Sequence, residues 1–223
     1  MSLPISDLLY PKNLKQAREV QRYIRERLIL DDEPPLKDTF VFGVVDVSAN
    51  MYSPYAYAAC TVFEYPSLKM LDWYGYSGKY VFPYIPTYLV FREGPLLYEL
   101  LKDIAGDLDL IIFDGQGIIH PLRVGIATHM GFIFDTKTIG FAKKLLYGNV
   151  VDGKVIDPED GMVLGYEVKL GKRGGPVYIS PGYRISPERA VEIIKSMADG
   201  YKIPKVIRSA HIYANKLRKE GGL

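Results

Sequence analysis

Two apolar runs in this chain carry an aspartate where a buried β-strand has no room for an unpaired charge. Val41-Phe42-Gly43-Val44-Val45 continues through Asp46 into Val47, and Leu110-Ile111-Ile112-Phe113 ends on Asp114 at a glycine-flanked turn. Continuous apolar runs of this kind belong to strands covered on both faces, so helices must lie above and below a sheet. A carboxylate in such a sheet has to be paired or metal-bound, and mid-strand aspartate is disfavoured in any case. If the two strands are neighbours, both acids can converge on a hard cation. Oxygen donors without soft partners point to Mg²⁺ or Mn²⁺ rather than zinc. The plainer account makes Asp114 a turn residue and Asp46 a paired strand residue.

The surrounding pattern fills in the fold. Leu14, Ala17, Val20, Ile24 and Leu28 recur at three- and four-residue steps, predicting an amphipathic helix ended by Asp31-Asp32-Glu33-Pro34-Pro35. Thr39–Val47, Tyr55–Tyr65 and Leu68–Tyr76 are predicted strands, joined closely enough for an antiparallel meander. Glu93-Gly94-Pro95 is expected to open a helix, with Pro95 in its first turn. A buried strand over Leu108–Phe113, a helix over Arg123–Phe134 and a second buried strand over Thr138–Phe141 follow. Val150–Ile156 and Met162–Val168 read as one hairpin. Ser186-Pro187-Glu188 caps a helix through Met197, and Pro204 starts another that runs to about Lys219. The expected architecture is α/β, a single domain over residues 1–223 with a mixed sheet flanked by helices.

Composition narrows the function. Against 26 acidic residues there are 28 basic ones, a formal charge of +2, which excludes a protein coated in positive charge but permits a basic groove. One cysteine excludes disulfide frameworks and thiolate metal clusters. With no signal-peptide pattern in Met1–Tyr10 and no apolar stretch of membrane-spanning length, a cytoplasmic protein without membrane attachment is expected, and a monomer. Gly165 to Gly171-Lys172 fails as a phosphate-binding loop because five residues separate the glycines and Arg173 replaces the hydroxyl residue. Gly115-Gln116-Gly117 fails as a dinucleotide fingerprint because Pro121 interrupts the required helix. Cys60, inside a strand-like run, reads as a packing thiol.

Other residues stand out. Glu93 is either a carboxylate favoured by a helix dipole or a third metal ligand. His211 falls within the apolar stripe of Ile207, Ala210, Ala214 and Leu217, as a core histidine or as a ligand, water-positioning group or proton shuttle. Lys202, Lys205, Arg208, Lys216, Arg218 and Lys219 gather without an acidic residue among them, as a solvated face or a phosphate-contacting surface. Phe82-Pro83-Tyr84-Ile85-Pro86 is a stiff apolar loop, suited to core packing or to acting as a wedge in a base stack.

In order along the chain, Gly43–Ser48, Phe82–Pro86, Phe91–Pro95, Phe113–Gly117, His120-Pro121, Gly125–Gly131, Thr138–Lys143, Ser180–Gly182 and Ala210–Tyr213 together resemble the endonuclease V family. The resemblance covers roughly residues 15 to 218. It implies a ribonuclease H-like fold and Mg²⁺-dependent hydrolysis of DNA containing deoxyinosine. The expected cut is the second phosphodiester bond on the 3′ side, leaving 3′-hydroxyl and 5′-phosphate ends, as a step in DNA repair. It further implies that Asp46, Glu93 and Asp114 surround the metal with His211 beside them, and that Lys143 contacts the scissile phosphate. Tyr84, between Pro83 and Pro86 with Ile85, becomes the strand-separating wedge. Leu89, Gly115, Gly125 and Ile126 supply the base pocket largely from backbone. Thr87 and Tyr183 depart from the pattern, where the family often has Gly and His. Cleavage of inosine-containing RNA, and binding of inosine without cleavage, are the alternatives.

Overall fold

The computed structural model describes residues 3–50 and 53–221. Nine strands run in chain order as β1 (Phe40–Ala49), β2 (Tyr55–Tyr65), β3 (Lys69–Lys79), β4 (Leu110–Asp114), β5 (Lys137–Ala142), β6 (Asn149–Val151), β7 (Lys154–Ile156), β8 (Val163–Val168) and β9 (Val177–Tyr183). They form one sheet in the order β3-β2-β1-β4-β5-β9-β8-β7-β6. The first three make the antiparallel meander expected from their short connections, whereas β4 and β5 join parallel to β1. An antiparallel trio continued by parallel strands is the ribonuclease H-like arrangement, and the sheet is mixed.

Alternation along the two central strands divides the interior in two. Val45, Ile111 and Phe113 enter one core with α1 (Ile5–Leu9), α2 (Leu14–Arg25), α3 (Leu89–Leu101) and α4 (Ile126–Phe134). Phe42, Val44, Leu110 and Ile112 enter the other with α5 (Pro187–Ser196) and α6 (Lys205–Glu220). The apolar runs are therefore continuous because both faces are covered. Cys60 is fully buried and its thiol is pushed up to about 12 by that burial, in keeping with a packing role.

Several expectations shift. The helix expected to open at Glu93 begins at Leu89, so Glu93 lies in its second turn and Pro95 inside it. Burial of Val90, Phe91, Pro95 and Leu97 outweighs the hydrogen bond that proline cannot donate. The helix expected from Arg123 starts at Ile126, because Arg123 has a φ of 57° and Gly125 is extended. Val150–Ile156 is two strands rather than one: Asp152 and Gly153, both at positive φ, make the two-residue turn between β6 and β7. Strand β9 is new. It carries Ser180-Pro181-Gly182 and pairs with β5 across a register shift.

Candidate active site

Strands β1 and β4 pair in parallel, with Val45 beside Phe113 at the last matched position. The next residues, Asp46 within β1 and Asp114 at the end of β4, therefore lie side by side on the same side of the sheet. Glu93 reaches the same cleft from α3 on one face. From α6 on the other face, the Nδ1 of His211 lies 2.7 Å from Asp46 Oδ2. Asp46, Glu93 and Asp114 line a cleft of about 10 Å³, on the scale of a single water.

The electrostatics of this cleft are those of crowded acids. Burial, and then the charge of Asp114, push the Asp46 carboxyl up, against the opposing hydrogen bonds from His211 and the Val47 N–H. Burial pushes Glu93 up to about 8, helped by Asp46 and Asp114 and opposed by Arg92. A divalent cation would relieve that repulsion, and hard carboxylate oxygens suit Mg²⁺ or Mn²⁺. The donor set fits such an ion chemically. As they stand, however, no three His, Cys, Asp or Glu side chains among the described residues are grouped closely enough to hold one. Asp46 turns to His211, and Asp114 turns to Lys143, whose Nζ is 2.5 Å from Asp114 Oδ2.

His211 is half exposed, its side chain 54% accessible, so the core-histidine account does not hold. The stripe on α6 buries Ile207, Ala210, Ala214 and Leu217, and His211 projects beside it.

Next to the cleft lies a pocket of about 500 Å³. Tyr84, Pro86 and Leu89 contribute one wall, Gly115, Gly125 and Ile126 the floor, and Lys143 to Leu146 the opposite wall. Asp114 lines both pocket and cleft, and Lys143, paired with it, lines the pocket. Pro83 and Ile85 flank Tyr84 without lining the pocket. The floor glycines are also demanded by the protein's own packing. A Cβ at Gly115 would lie 2.6 Å from Ile126, and one at Gly125 would lie 2.3 Å from the Gln116 carbonyl oxygen. They are needed because the two floor loops touch each other.

The proline loop is packed at its base and exposed at its tip. Phe82 packs against Phe91 with ring centroids 5.8 Å apart, and its carbonyl accepts a 3.0 Å hydrogen bond from Arg92. Tyr84 is 66% exposed at the tip. Behind it, Thr87 has a φ of 70°, unusual for a β-branched residue. Its carbonyl is held by Gln21 Nε2 and His120 Nε2, each at 2.8 Å. Tyr183, the other departure, is buried with its ring edge-on to Phe132.

Two features were not anticipated from the sequence. Arg123 donates to the buried Asp157 through Nε at 3.0 Å and a terminal nitrogen at 2.7 Å, tying the pocket's floor loop to the β7–β8 connection. The Tyr147 hydroxyl, just beyond the Lys143–Leu146 wall, donates to the same carboxylate at 3.1 Å. Asn215 contacts His211, a pair whose four-residue helical spacing could have been noticed. Of the C-terminal basic residues, Lys216, Arg218 and Lys219 share a surface groove with His211.

An acidic cleft built on two adjacent parallel strands, beside a pocket wide enough for a nucleobase, points to a class: nucleases of ribonuclease H-like fold. Within it, a model of the endonuclease V family matches residues 22–212, and the chain belongs to that family. The endonuclease V of Thermofilum pendens is 39% identical, with 92% of this chain and 89% of the relative covered. That of Protochlamydia amoebophila is 35% identical, with 95% and 93% covered. Among solved structures, the Streptomyces avermitilis endonuclease V superposes with a TM-score of 0.87 at 28% identity, covering 98% of this chain and 97% of the other. The Ciona intestinalis endonuclease V, solved in complex with a 24-mer DNA containing an inosine followed by a ribo-adenosine, has a TM-score of 0.82 at 26% identity, covering 93% and 98%. No helix among the described residues is long and apolar enough to cross a membrane.

Proposed function

We propose that this chain is a Mg²⁺-dependent repair endonuclease that takes deoxyinosine into its pocket and hydrolyses the second phosphodiester bond on the 3′ side. The observation that carries the reading is Asp114, which lines both the acidic cleft and the base-sized pocket and is paired there with Lys143 of the pocket. The inosine-containing DNA bound by the Ciona relative supports the choice of base. Asp46, Glu93 and Asp114 would hold Mg²⁺, or Mn²⁺ in its place, which would polarise the phosphate and acidify an attacking water. Lys143, released from Asp114, would offset charge on the non-bridging phosphate oxygens. Tyr84 would fill the space left in the stack by the extruded base. His211 would hold Asp46 in one orientation. In-line attack with departure of the 3′ oxygen leaves 3′-hydroxyl and 5′-phosphate ends.

Single-site inosine DNA, incubated with Mg²⁺ and mapped on both strands, tests this. A nick at the second 3′ bond is expected, abolished by Asp46→Asn or Asp114→Asn while inosine-DNA binding largely remains. Full cleavage by either variant would overturn the assignment of those carboxylates. The ribonucleotide after the inosine in the Ciona complex gives weight to a second reading, cleavage of inosine-containing RNA. Matched DNA and RNA strands assayed side by side separate the two.

A further inference from the structure

We infer that Asn215 is a positioning residue that fixes the tautomer of His211, holding its ring proton on Nδ1 toward Asp46. The argument starts at Arg218, whose guanidinium can only donate hydrogen bonds. Arg218 donates to Ser48 Oγ at 2.9 Å, to Asn50 Oδ1, and to Asn215 at 3.2 Å. The atom of Asn215 facing Arg218 must therefore be its oxygen. Ser48, having accepted from Arg218, has its own hydroxyl proton free for the same oxygen, 2.8 Å away.

With the oxygen so assigned, the other end of the amide is NH₂. It faces His211 Nε2 at 2.8 Å. An amide nitrogen has only protons to offer, so Nε2 must accept and carries none. The ring proton then resides on Nδ1, which donates to Asp46 Oδ2 at 2.7 Å. Asp46 Oδ1 accepts the Val47 N–H at 2.8 Å. Both carboxylate oxygens are oriented, and the chain of orientation runs from Arg218 through Asn215 and His211 to Asp46.

His211 thus acts as a donor to a carboxylate, and its Nε2 lone pair is already engaged. This deepens the proposed function and rests on it for its catalytic meaning, since it assigns His211 to orienting Asp46 rather than to taking a proton through Nε2. The tautomer itself stands independently of what the chain cleaves.

Long-range ¹⁵N–¹H correlation of the imidazole nitrogens tests it on the whole protein near neutral pH, where only His120, His129 and His211 contribute. The expected spectrum has His211 Nδ1 protonated and Nε2 bare. Asn215→Asp keeps an oxygen for Ser48 and Arg218 but presents an acceptor to the ring, and should bring a proton onto Nε2. Asn215→Ala, which leaves Nε2 to water, should mix the tautomers. Alongside, kcat on inosine DNA should fall about 10-fold in Asn215→Asp, with KM little changed. A wild-type ring protonated on Nε2, or variants with unaltered spectra, would overturn the inference. The expected spectra in a protein that fails to nick inosine DNA would overturn the nuclease reading and leave this one standing.

Discussion

Lys143 Nζ and Asp114 Oδ2 are 2.5 Å apart, so the cation proposed to meet a phosphate and the carboxylate proposed to meet a metal neutralise one another. Asp114 lines both pocket and cleft, and Lys143 lines the pocket beside it. The exposure of the pair, 42% for the lysine side chain, makes it a weak contributor to stability and an easy one to separate.

Lys143→Ala should therefore leave the fold intact and lower kcat on inosine DNA by about 10²–10³-fold, the usual effect of removing one donor to a developing oxyanion. KM should change far less. Single-turnover cleavage measures this, and a variant with normal kcat and raised KM would assign Lys143 to ground-state binding instead.

Tyr84→Ala tests the wedge. Because the ring is 66% exposed, thermal stability should stay within about 0.5 kcal/mol of wild type. Affinity for inosine duplex should fall by about 1–3 kcal/mol, the scale of one base–aromatic stack. Fluorescence anisotropy with duplex and single-stranded inosine DNA reads it. Equal losses on both would mean that the ring does not separate strands.

Gly140→Ala should damage the pocket without touching any ligand-facing side chain. The added Cβ would lie 2.2 Å from the backbone nitrogen of Gly117 and 2.7 Å from the carbonyl oxygen of Gly115. Backbone must move, at about 1–3 kcal/mol of stability. Urea unfolding and inosine-DNA affinity should both fall. A variant as stable as wild type would show that the floor loop yields freely.

Burial holds His120 and His129 down at about 4, against an ordinary value of 6.5. Between those values the unfolded chain takes up protons that the folded protein refuses, so each histidine's contribution to stability falls as pH drops from about 6.5 to about 4. Asp46 and Glu93, pushed up, act in the opposite sense, so the histidine contribution is read by difference. The stability gap between wild type and His120→Gln should shrink on acidification by up to about 1.4 kcal/mol per pH unit. Denaturation midpoints along that range check it, and a constant gap would refute it.

Asp46 and Asp114 were legible in the sequence because a carboxylate in an apolar run is a chemical anomaly wherever the run folds. The meander was legible because its connections are too short for crossovers. Pro95 misled because it is buried where packing outweighs a lost hydrogen bond, which no local propensity records. Asn215 and Asp157 stayed hidden because each gains meaning only from distant partners. Ser48 is 167 positions from Asn215, and Arg123 is 34 from Asp157. The pocket's basic wall was half legible, since Lys143 followed from the family resemblance but its contact with Asp114 followed from nothing along the chain.

Glu93 descends from a helix on one face of the sheet and His211 from a helix on the other. Neither half of the molecule can therefore assemble the cleft by itself. Local opening of α6 alone, well short of global unfolding, would withdraw His211 and Asn215 together and free Asp46 to rotate. Catalytic competence becomes a report on the docking of both layers at once.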